Sequence, residues 1–419
     1  MHKSLNEWLD FIEAVHPEDI ELGLERVREV ANAMGLLPPA SRTVIVAGTN
    51  GKGSTAVFTE QLLRVGGLRV GTTLSPHVHE FNERVRLDGV SCADEMLCES
   101  FEKVEDARHG VPLTYFEFAS LVALDVFRTA AVDVAILEVG LGGRLDAFNV
   151  VDADVAAITS IGLDHQDYLG DNLEVIGSEK AGVLRPGQRV VLGETVTTSV
   201  IERAGVLGCE TSRLSVELEL EMTASDWSLT TPWEEFPNLP WGNLAPHNCA
   251  LAIEIAHYFV NVTPQMVQTA LKGAMLPGRF EAFANDERQW LVDVAHNPAG
   301  AAFLAELIKI RYPGKRLVAI FGMFRDKDST GVAALLAPLV SHWICLSTTG
   351  ARGLSADDLR LSIPADLPCS TVADVAAAVR LAGSLTSPED VILGFGSFAV
   401  ASAVRELLWD HTYFAERSL

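Results

Sequence analysis

The sequence predicts two α/β domains in a row, the first built on a mainly parallel sheet, the second smaller and Rossmann-like. Three observations predict this. Short β-branched apolar runs (Thr43–Val46, Val132–Val139, Val155–Ile161) alternate with stretches whose apolar residues recur at helical spacing. A glycine-rich turn joins the first of those runs to the helix after it. The strand–helix alternation then restarts after about residue 284, dividing the chain into residues 1–283 and 284–419.

Taken in order, residues 4–36 read as two helices. Leu5, Trp8, Leu9 and Ile12 form one apolar stripe, and Leu22, Leu24, Val27, Val30 and Ala31 a second, with a break at His16-Pro17. Plain packing accounts for most of this pair. Thr43–Ser54 is the stretch around which the rest is arranged. Gly48, Gly51 and Gly53 permit backbone angles that larger residues resist. Val57, Phe58, Leu62 and Val65 then carry a helix as far as Gly66-Gly67. A helix start after a glycine turn offers unpaired N–H groups and the positive end of a dipole, which suits a phosphate. Lys52 lies inside that turn. The stretch therefore reads as a nucleotide triphosphate loop, with a structural turn as the alternative. The generic loop asks for Gly, four residues, then Gly-Lys-Ser/Thr. Here Val46 stands where the first Gly belongs, and Gly53 separates Lys52 from Ser54.

A strand over Leu68–Leu74 ends at Ser75-Pro76-His77. Asn82-Glu83-Arg84-Val85-Arg86 follows, and its two arginines either meet an anionic substrate or form a solvated face. Val132–Val139 ends in Glu138-Val139-Gly140-Leu141-Gly142-Gly143-Arg144-Leu145-Asp146. An open α/β sheet does its ligand chemistry at the carboxyl ends of its strands. Val155–Ile161 delivers Gly162-Leu163-Asp164-His165. Ser75, Glu138 and His165 thus all follow strand ends, on the edge where the glycine turn opens. Hydroxyl, carboxylate and imidazole together could hold a Mg²⁺ that bridges nucleotide phosphates; the histidine is equally open to a structural reading. Lys180, in Glu179–Gly182 at one end of a helix, reads as a surface lysine.

Residues 195–245 read as a small β insertion, Asn248–Tyr258 as a helix, Leu276–Phe280 as a junction and Asn285–Arg288 as a linker. Strands are then expected at Trp290–Val294, Arg316–Phe321, Trp343–Leu346 and Val391–Phe395. Ala299–Ile310 reads as a helix, and a last helix starts after Gly396-Ser397 and runs past Leu408. Asp293 and His296 follow the first of these strands and would face whatever the first domain binds if the two close together.

Bulk properties bound the function. A chain of 419 residues, 48% hydrophobic and 21% charged, can form two cores of ordinary size. A net charge of −24 argues against nucleic-acid and anionic-membrane partners, and requires local cations wherever an anionic substrate binds. The first residues lack an apolar signal core, and no apolar run is long enough to span a bilayer. Six scattered cysteines without a Cys-x-x-Cys pair suit a reduced cytosol and give no zinc signature.

Gly48-Thr49-Asn50-Gly51-Lys52-Gly53-Ser54, Leu74-Ser75-Pro76-His77, Glu138–Asp146, Ser178–Gly182, Pro277-Gly278-Arg279-Phe280 and Asp293–Pro298 occur in one order. In that order they resemble the bacterial dihydrofolate synthase/folylpolyglutamate synthase family of the Mur ligase superfamily. The similarity runs from Trp8-Leu9 to Gly396-Ser397-Phe398, and the glycine turn is that family's own variant of the P-loop, which explains the mismatch with the generic pattern. The resemblance implies an N-terminal P-loop ATPase domain and a C-terminal glutamate-ligase domain. It implies ATP phosphates on Thr49, Asn50, Gly51, Lys52, Gly53 and Ser54, with further ATP contacts at Asn248, Arg279 and Asp293. Ser75, Glu138 and His165 fall on Mg²⁺ ligands, and Lys180 on a lysine often carbamoylated to help hold a second Mg²⁺. Thr114, Tyr115, Phe116 and Glu117, with Leu145, Asp146 and Ala147, match segments that hold the pteroate end of the substrate. Two departures stand out. Pro246-His247-Asn248 replaces a more usual approach to the Asn, and Ala399 follows Phe398 where a His is common.

The activity implied is an ATP-dependent amide ligase adding L-glutamate to dihydropteroate and to reduced folyl(poly)glutamates. The substrate carboxylate would attack the γ-phosphate to give an acyl phosphate, which the glutamate amine then attacks. Lys52 would neutralise charge in the first step. His296 is the candidate for shaping the second, with interface packing as its alternative role. Domain closure would keep water from the acyl phosphate. A monovalent cation is a further candidate cofactor, and a monomer is expected. The alternatives are a monofunctional folylpolyglutamate synthase, another Mur-type ligase such as a peptidoglycan-precursor enzyme, and a P-loop ATPase switch.

Overall fold

Residues 3–16, 21–285 and 288–408 are described by a computed structural model. The chain divides into two compact units. The first comprises Met1–Glu221, Ser228–Leu239 and Pro246–Ala274, the second Met222–Trp227, Pro240–Ala245 and Met275–Leu419.

The first unit is organised by an eight-stranded sheet. Its strands are β1 (Arg42–Ala47), β2 (Val70–Thr73), β3 (Val85–Leu87), β4 (Val90–Ser91), β5 (Val134–Glu138), β6 (Val155–Ile158), β7 (Arg189–Leu192) and β8 (Glu210–Arg213). They lie in the order β4-β3-β2-β5-β1-β6-β7-β8. From β2 through β8 neighbours run parallel, and β3 and β4 add an antiparallel edge. Thr43–Ala47 and all of β5 and β6 are buried, as expected of strands covered on both faces. The chain leaves β1 for β2 on one side, returns to β5, then passes to β6 on the other side. The carboxyl ends of β5, β1 and β6 therefore flank the point where the winding reverses, which is where such sheets bind ligands.

Helices Leu5–Val15 and Glu25–Ala33 bury Leu5, Trp8 and Ile12 of the first predicted stripe and Val27, Val30 and Ala31 of the second, whereas Leu22 and Leu24 precede the second helix and are partly exposed; Trp8 stacks on Phe101 with ring centroids 5.6 Å apart. Pro17 lies outside the described residues. The insertion expected over 195–245 is narrower than that. Thr198–Val206 is a helix and Glu210–Arg213 joins the main sheet. Only β9 (Glu219–Met222), β10 (Asp226–Thr230) and β11 (Glu235–Pro240) form a small sheet of their own.

The second unit holds a six-stranded sheet of β12 (Glu281–Asn285), β13 (Arg288–Val292), β14 (Leu317–Phe321), β15 (Val340–Leu346), β16 (Cys369–Val372) and β17 (Val391–Phe395), in the order β12-β13-β17-β14-β15-β16. All its pairs are parallel except β12–β13. Asn285 and Arg288, read as parts of a linker, instead pair across an antiparallel hairpin; Asp286 and Glu287 lie outside the described residues. The unit takes in Met275–Phe283 as well, ahead of the expected division at 283/284. One reason is a buried ion pair, Arg405 Nε to Glu281 Oε2 at 2.7 Å, that ties β12 to the last helix (Phe398–Leu408). Strands β12 and β16 were not expected; they are edge strands, and short polar edges carry little apolar periodicity.

Candidate active site

The glycine turn is held open by the end of β6. Thr49 N–H donates to Ser160 O at 2.8 Å, and Asn50 N–H to Ser160 Oγ at 3.0 Å. Thr159 Oγ1 and Ser160 Oγ both donate to Asn50 O, at 2.6 and 3.0 Å. These two hydroxyls take over just where the predicted strand Val155–Ile161 stops pairing, and sequence reading passed over them. Gly48 has φ 145°, and a Cβ there would stand 2.0 Å from Thr159 Oγ1, so only glycine lets turn and strand meet. Gly51 (φ 87°) precedes the helix Lys52–Val65, whereas Gly53 lies within its first turn. Lys52 Nζ folds back to donate to Gly48 O and Thr49 O at 3.1 and 3.2 Å. Asn248, on the helix Pro246–His257, places Oδ1 2.4 Å from where a Gly51 Cβ would be, so it lies against the turn.

At the end of β5, Glu138 is buried and its Oε2 accepts the Ser75 N–H at 2.7 Å. Ser75 and Glu138 are therefore neighbours at the ends of the adjacent strands β2 and β5. His165 is exposed where it opens the short helix Gln166–Leu169, with φ 50°. Among the described residues no group of three or more His, Cys, Asp or Glu is arranged to hold a metal by itself. Ser75 and Glu138 offer the hard oxygen donors that Mg²⁺ takes, so they fit such an ion when phosphate oxygens complete its shell.

Lys180 corrects its sequence reading: it is not a surface lysine but 4% exposed, at the end of the helix Leu173–Lys180. Burial, followed by the nearby Lys52 charge, brings its pKa down to about 7, against the pull of Asp164, Asp146 and Glu179. It is buried because two backbones touch there. Gly143 approaches so closely that a Cβ would meet Lys180 Cα and Glu179 O at 2.8 Å, and Arg144 N–H donates to Glu179 O at 2.9 Å. The motifs Gly140–Asp146 and Glu179–Gly182, far apart in sequence, thus interlock.

The pteroate segments divide by residue. Asp146 is buried, and its carboxylate accepts N–H groups from Gly140, Leu141 and Phe148 at 2.9–3.0 Å. Burial raises its pKa to about 6 in spite of those donors and Lys52. Its charge is thus used to shape its own loop. Thr114 and Glu117 cap the helix Tyr115–Ala130 reciprocally, and Glu117 also receives Arg26 Nη2 at 3.0 Å. Tyr115 and Phe116 remain half-exposed, with Phe116 edge-on to Phe148. Leu145 is half-exposed and Ala147 buried beside them.

In the second unit, the ends of β13 and β17 bring their own candidates together. Asp293 accepts N–H groups of Phe280 and Ala295 at 2.8 and 2.7 Å, and burial raises its pKa against those donors and the Arg279 charge. His296 Nδ1 lies 2.8 Å from Val294 O, its ring 6.2 Å from that of Phe398. The Arg279 guanidinium lies over Phe398 at 4.7 Å.

Comparison with known proteins points the same way. Residues 46–192 match the Mur ligase middle domain and residues 278–398 the Mur ligase glutamate ligase domain. The chain is 38% identical to a dihydrofolate synthase/folylpolyglutamate synthase of Haemophilus influenzae, over 94% of this chain and 95% of the relative. It is 39% identical to the enzyme of that name from Escherichia coli K12, over 96% and 95%. Its fold is similar to that of E. coli FolC solved with DHPP and ADP, with a TM-score of 0.91 at 38% identity, covering 99% of each chain. It is also similar to a Yersinia pestis bifunctional folylpolyglutamate synthase/dihydrofolate synthase solved with AMPPNP and Mn, with a TM-score of 0.88 at 40% identity, covering 97% of this chain and 98% of that one.

Proposed function

The chain belongs to the dihydrofolate synthase/folylpolyglutamate synthase family of Mur-type ligases, and from that premise we propose that it joins L-glutamate to dihydropteroate, and to reduced folates already bearing glutamate, with ATP converted to ADP. One observation carries the reading. The glycine turn with Lys52 and the Ser75–Glu138 pair lie at the carboxyl ends of adjacent strands of one sheet, at its switch point, and the buried Lys180 is within electrostatic reach of Lys52.

The chemistry follows from what a carboxylate needs. It will not take an amine while its leaving group is hydroxide. Its attack on the γ-phosphorus of ATP forms an acyl phosphate and releases ADP; the unprotonated amine of glutamate then attacks the acyl carbon and phosphate leaves. Lys52 would exchange Gly48 O and Thr49 O for phosphate oxygens, and the N–H groups opening its helix would receive the rest. Mg²⁺ held by Ser75, Glu138 and His165 would supply charge neutralisation at the phosphates. With a pKa of about 7, roughly half of Lys180 is unprotonated at neutral pH, and that amine would add CO₂ with loss of a proton to give a carbamate able to hold a second Mg²⁺. Arg279 and Asp293 as ATP contacts, His296 in the amine step, a monovalent cation and a monomeric state belong to the same proposal. So do Tyr115 and Phe116 as the aromatic wall for the pteroate.

Purified protein with ATP, Mg²⁺ and labelled glutamate tests it, once with dihydropteroate and once with a reduced monoglutamyl folate. ADP release and label incorporation are expected with either acceptor, only when glutamate is present, and lost in Lys52→Ala. ADP released without acceptor and amine would mark a switch instead. Turnover of one acceptor alone would mark a single-activity member.

A further inference from the structure

The sequence leaves the two arginines of Asn82–Arg86 open between a substrate role and a solvated face, and the structure separates them. Arg86 is committed to the fold: its Nη2 lies 3.0 Å from the buried carboxylate of Glu60 and donates to Gly89 O at 2.8 Å. Arg84 has no carboxylate among the described residues as an ion-pair partner. Its Nε–H donates to His77 Nδ1 at 2.8 Å, and its guanidinium lies 5.5 Å from the Tyr115 ring and 5.9 Å from the Phe81 ring. Neighbouring Glu83 acts on it only through space, because both Glu83 oxygens accept backbone N–H groups of Val78, His79 and Glu80 at 2.7–3.0 Å. Glu138 is within its electrostatic reach, so Arg84 stands near the Ser75–Glu138 pair.

A half-buried guanidinium fixed through Nε keeps its two Nη groups as a planar fork, the geometry that grips a carboxylate with two parallel hydrogen bonds. We propose that Arg84 binds the reacting carboxylate of the acceptor end-on through Nη1 and Nη2, and that His77 positions the fork by accepting from Nε. The idea rests on the ligase reading and names the group that holds its nucleophile. The carboxylate must stay ionised to attack phosphorus, and a fixed cation favours that form. Aromatic faces beside the fork suit an aryl acid. In a chain of net charge −24, a cation with no carboxylate in direct contact among the described residues supplies the local attraction an anionic acceptor requires.

The test compares binding of dihydropteroate with binding of its carboxamide, by calorimetry, in wild-type protein and variants. The wild type is expected to prefer the acid by roughly 10- to 100-fold, the range for a hydrogen-bonded charge. Arg84→Met should bring that preference to about one while a non-hydrolysable ATP analogue binds as before. His77→Phe should lower it several-fold, a change that loss of packing alone would not produce, since packing affects acid and amide alike. An Arg84→Met protein that keeps the wild-type preference overturns the proposal, as does a wild type with no preference. Should Arg84→Met fail to fold by circular dichroism, Arg84→Lys decides by the same ratio, with an unchanged preference again overturning it. Failure of the ligase reading is seen separately, as absent turnover of dihydropteroate with ATP and glutamate in the wild type.

Discussion

Lys180 shows how strongly a single residue can depart from its sequence appearance. A lysine flanked by Glu179 and Ala181 looks solvent-facing, yet it is 4% exposed, and burial brings its pKa from 10.5 to about 7. The linkage has a definite sign. Between about pH 7 and 10.5 the unfolded chain binds the proton and the folded one does not, so this group's contribution to stability rises with pH across that window. Below pH 7 the folded protein carries the full cost of a buried ammonium, on the order of a few kcal/mol. Lys180→Met should therefore raise the melting temperature at pH 6 and have a much smaller effect at pH 10; equal shifts at both would refute a depressed pKa. Lys180→Ala activity should be partly restored by short carboxylic acids, and full activity without them would remove the carbamate from the mechanism. Lys180 was recognisable as a candidate only through its motif; its burial was not legible, because it depends on Gly143, 37 positions away in the chain.

At the scale of elements, the helix Tyr115–Ala130 carries a signal that was legible but put to another use. Thr114-Tyr-Phe-Glu117 has the Thr-x-x-Glu spacing of a capping box, and the structure forms that box: Thr114 N–H donates to Glu117 Oε2 at 2.8 Å, and Glu117 N–H to Thr114 Oγ1 at 3.3 Å. Glu117 also receives Arg26 Nε and Nη2 at 3.2 and 3.0 Å, joining this helix to Glu25–Ala33. Arg26 is partly exposed and keeps Glu21 as a second partner, so Glu117→Ala removes the cap and two charged hydrogen bonds without stranding the guanidinium, and should cost about 2–3 kcal/mol in denaturant unfolding. A loss below about 1 kcal/mol, the value of a cap alone, would mean the Arg26 pair contributes nothing. Tyr115 and Phe116 are the partly exposed side chains of this segment, whereas Thr114 and Glu117 are buried. Edge strands β12 and β16 were the elements least visible in sequence, since their pairing partners, not their own patterns, make them strands.

For the whole molecule, the winding of the first sheet explains why residues at positions 52, 75, 138 and 165 belong to one edge. Each follows a strand, and parallel strands send their carboxyl ends to the same side. The overall charge acts at this scale too. With −24 spread over the chain, each extra carboxylate on an acceptor meets added repulsion that salt screens. Raising ionic strength from about 0.01 to about 0.15 M should therefore raise kcat/KM for a triglutamyl folate relative to a monoglutamyl one. A falling ratio would show that cations near the site outweigh the net field.

The alternation of the central strands and helices, the glycine turn and the strand-end positions of Ser75, Glu138 and Asp293 were legible in local sequence alone. Apolar periodicity, glycine placement and strand length are short-range properties, and a parallel sheet turns them into positions on an edge. Only the tertiary structure decided which charges are neutralised. It buried Lys180, used Asp146 and Glu117 within the fold, paired Arg86 with Glu60 and left Arg84 without a carboxylate partner among the described residues. Burial and pairing depend on residues brought close from distant parts of the chain, and no local pattern encodes that proximity.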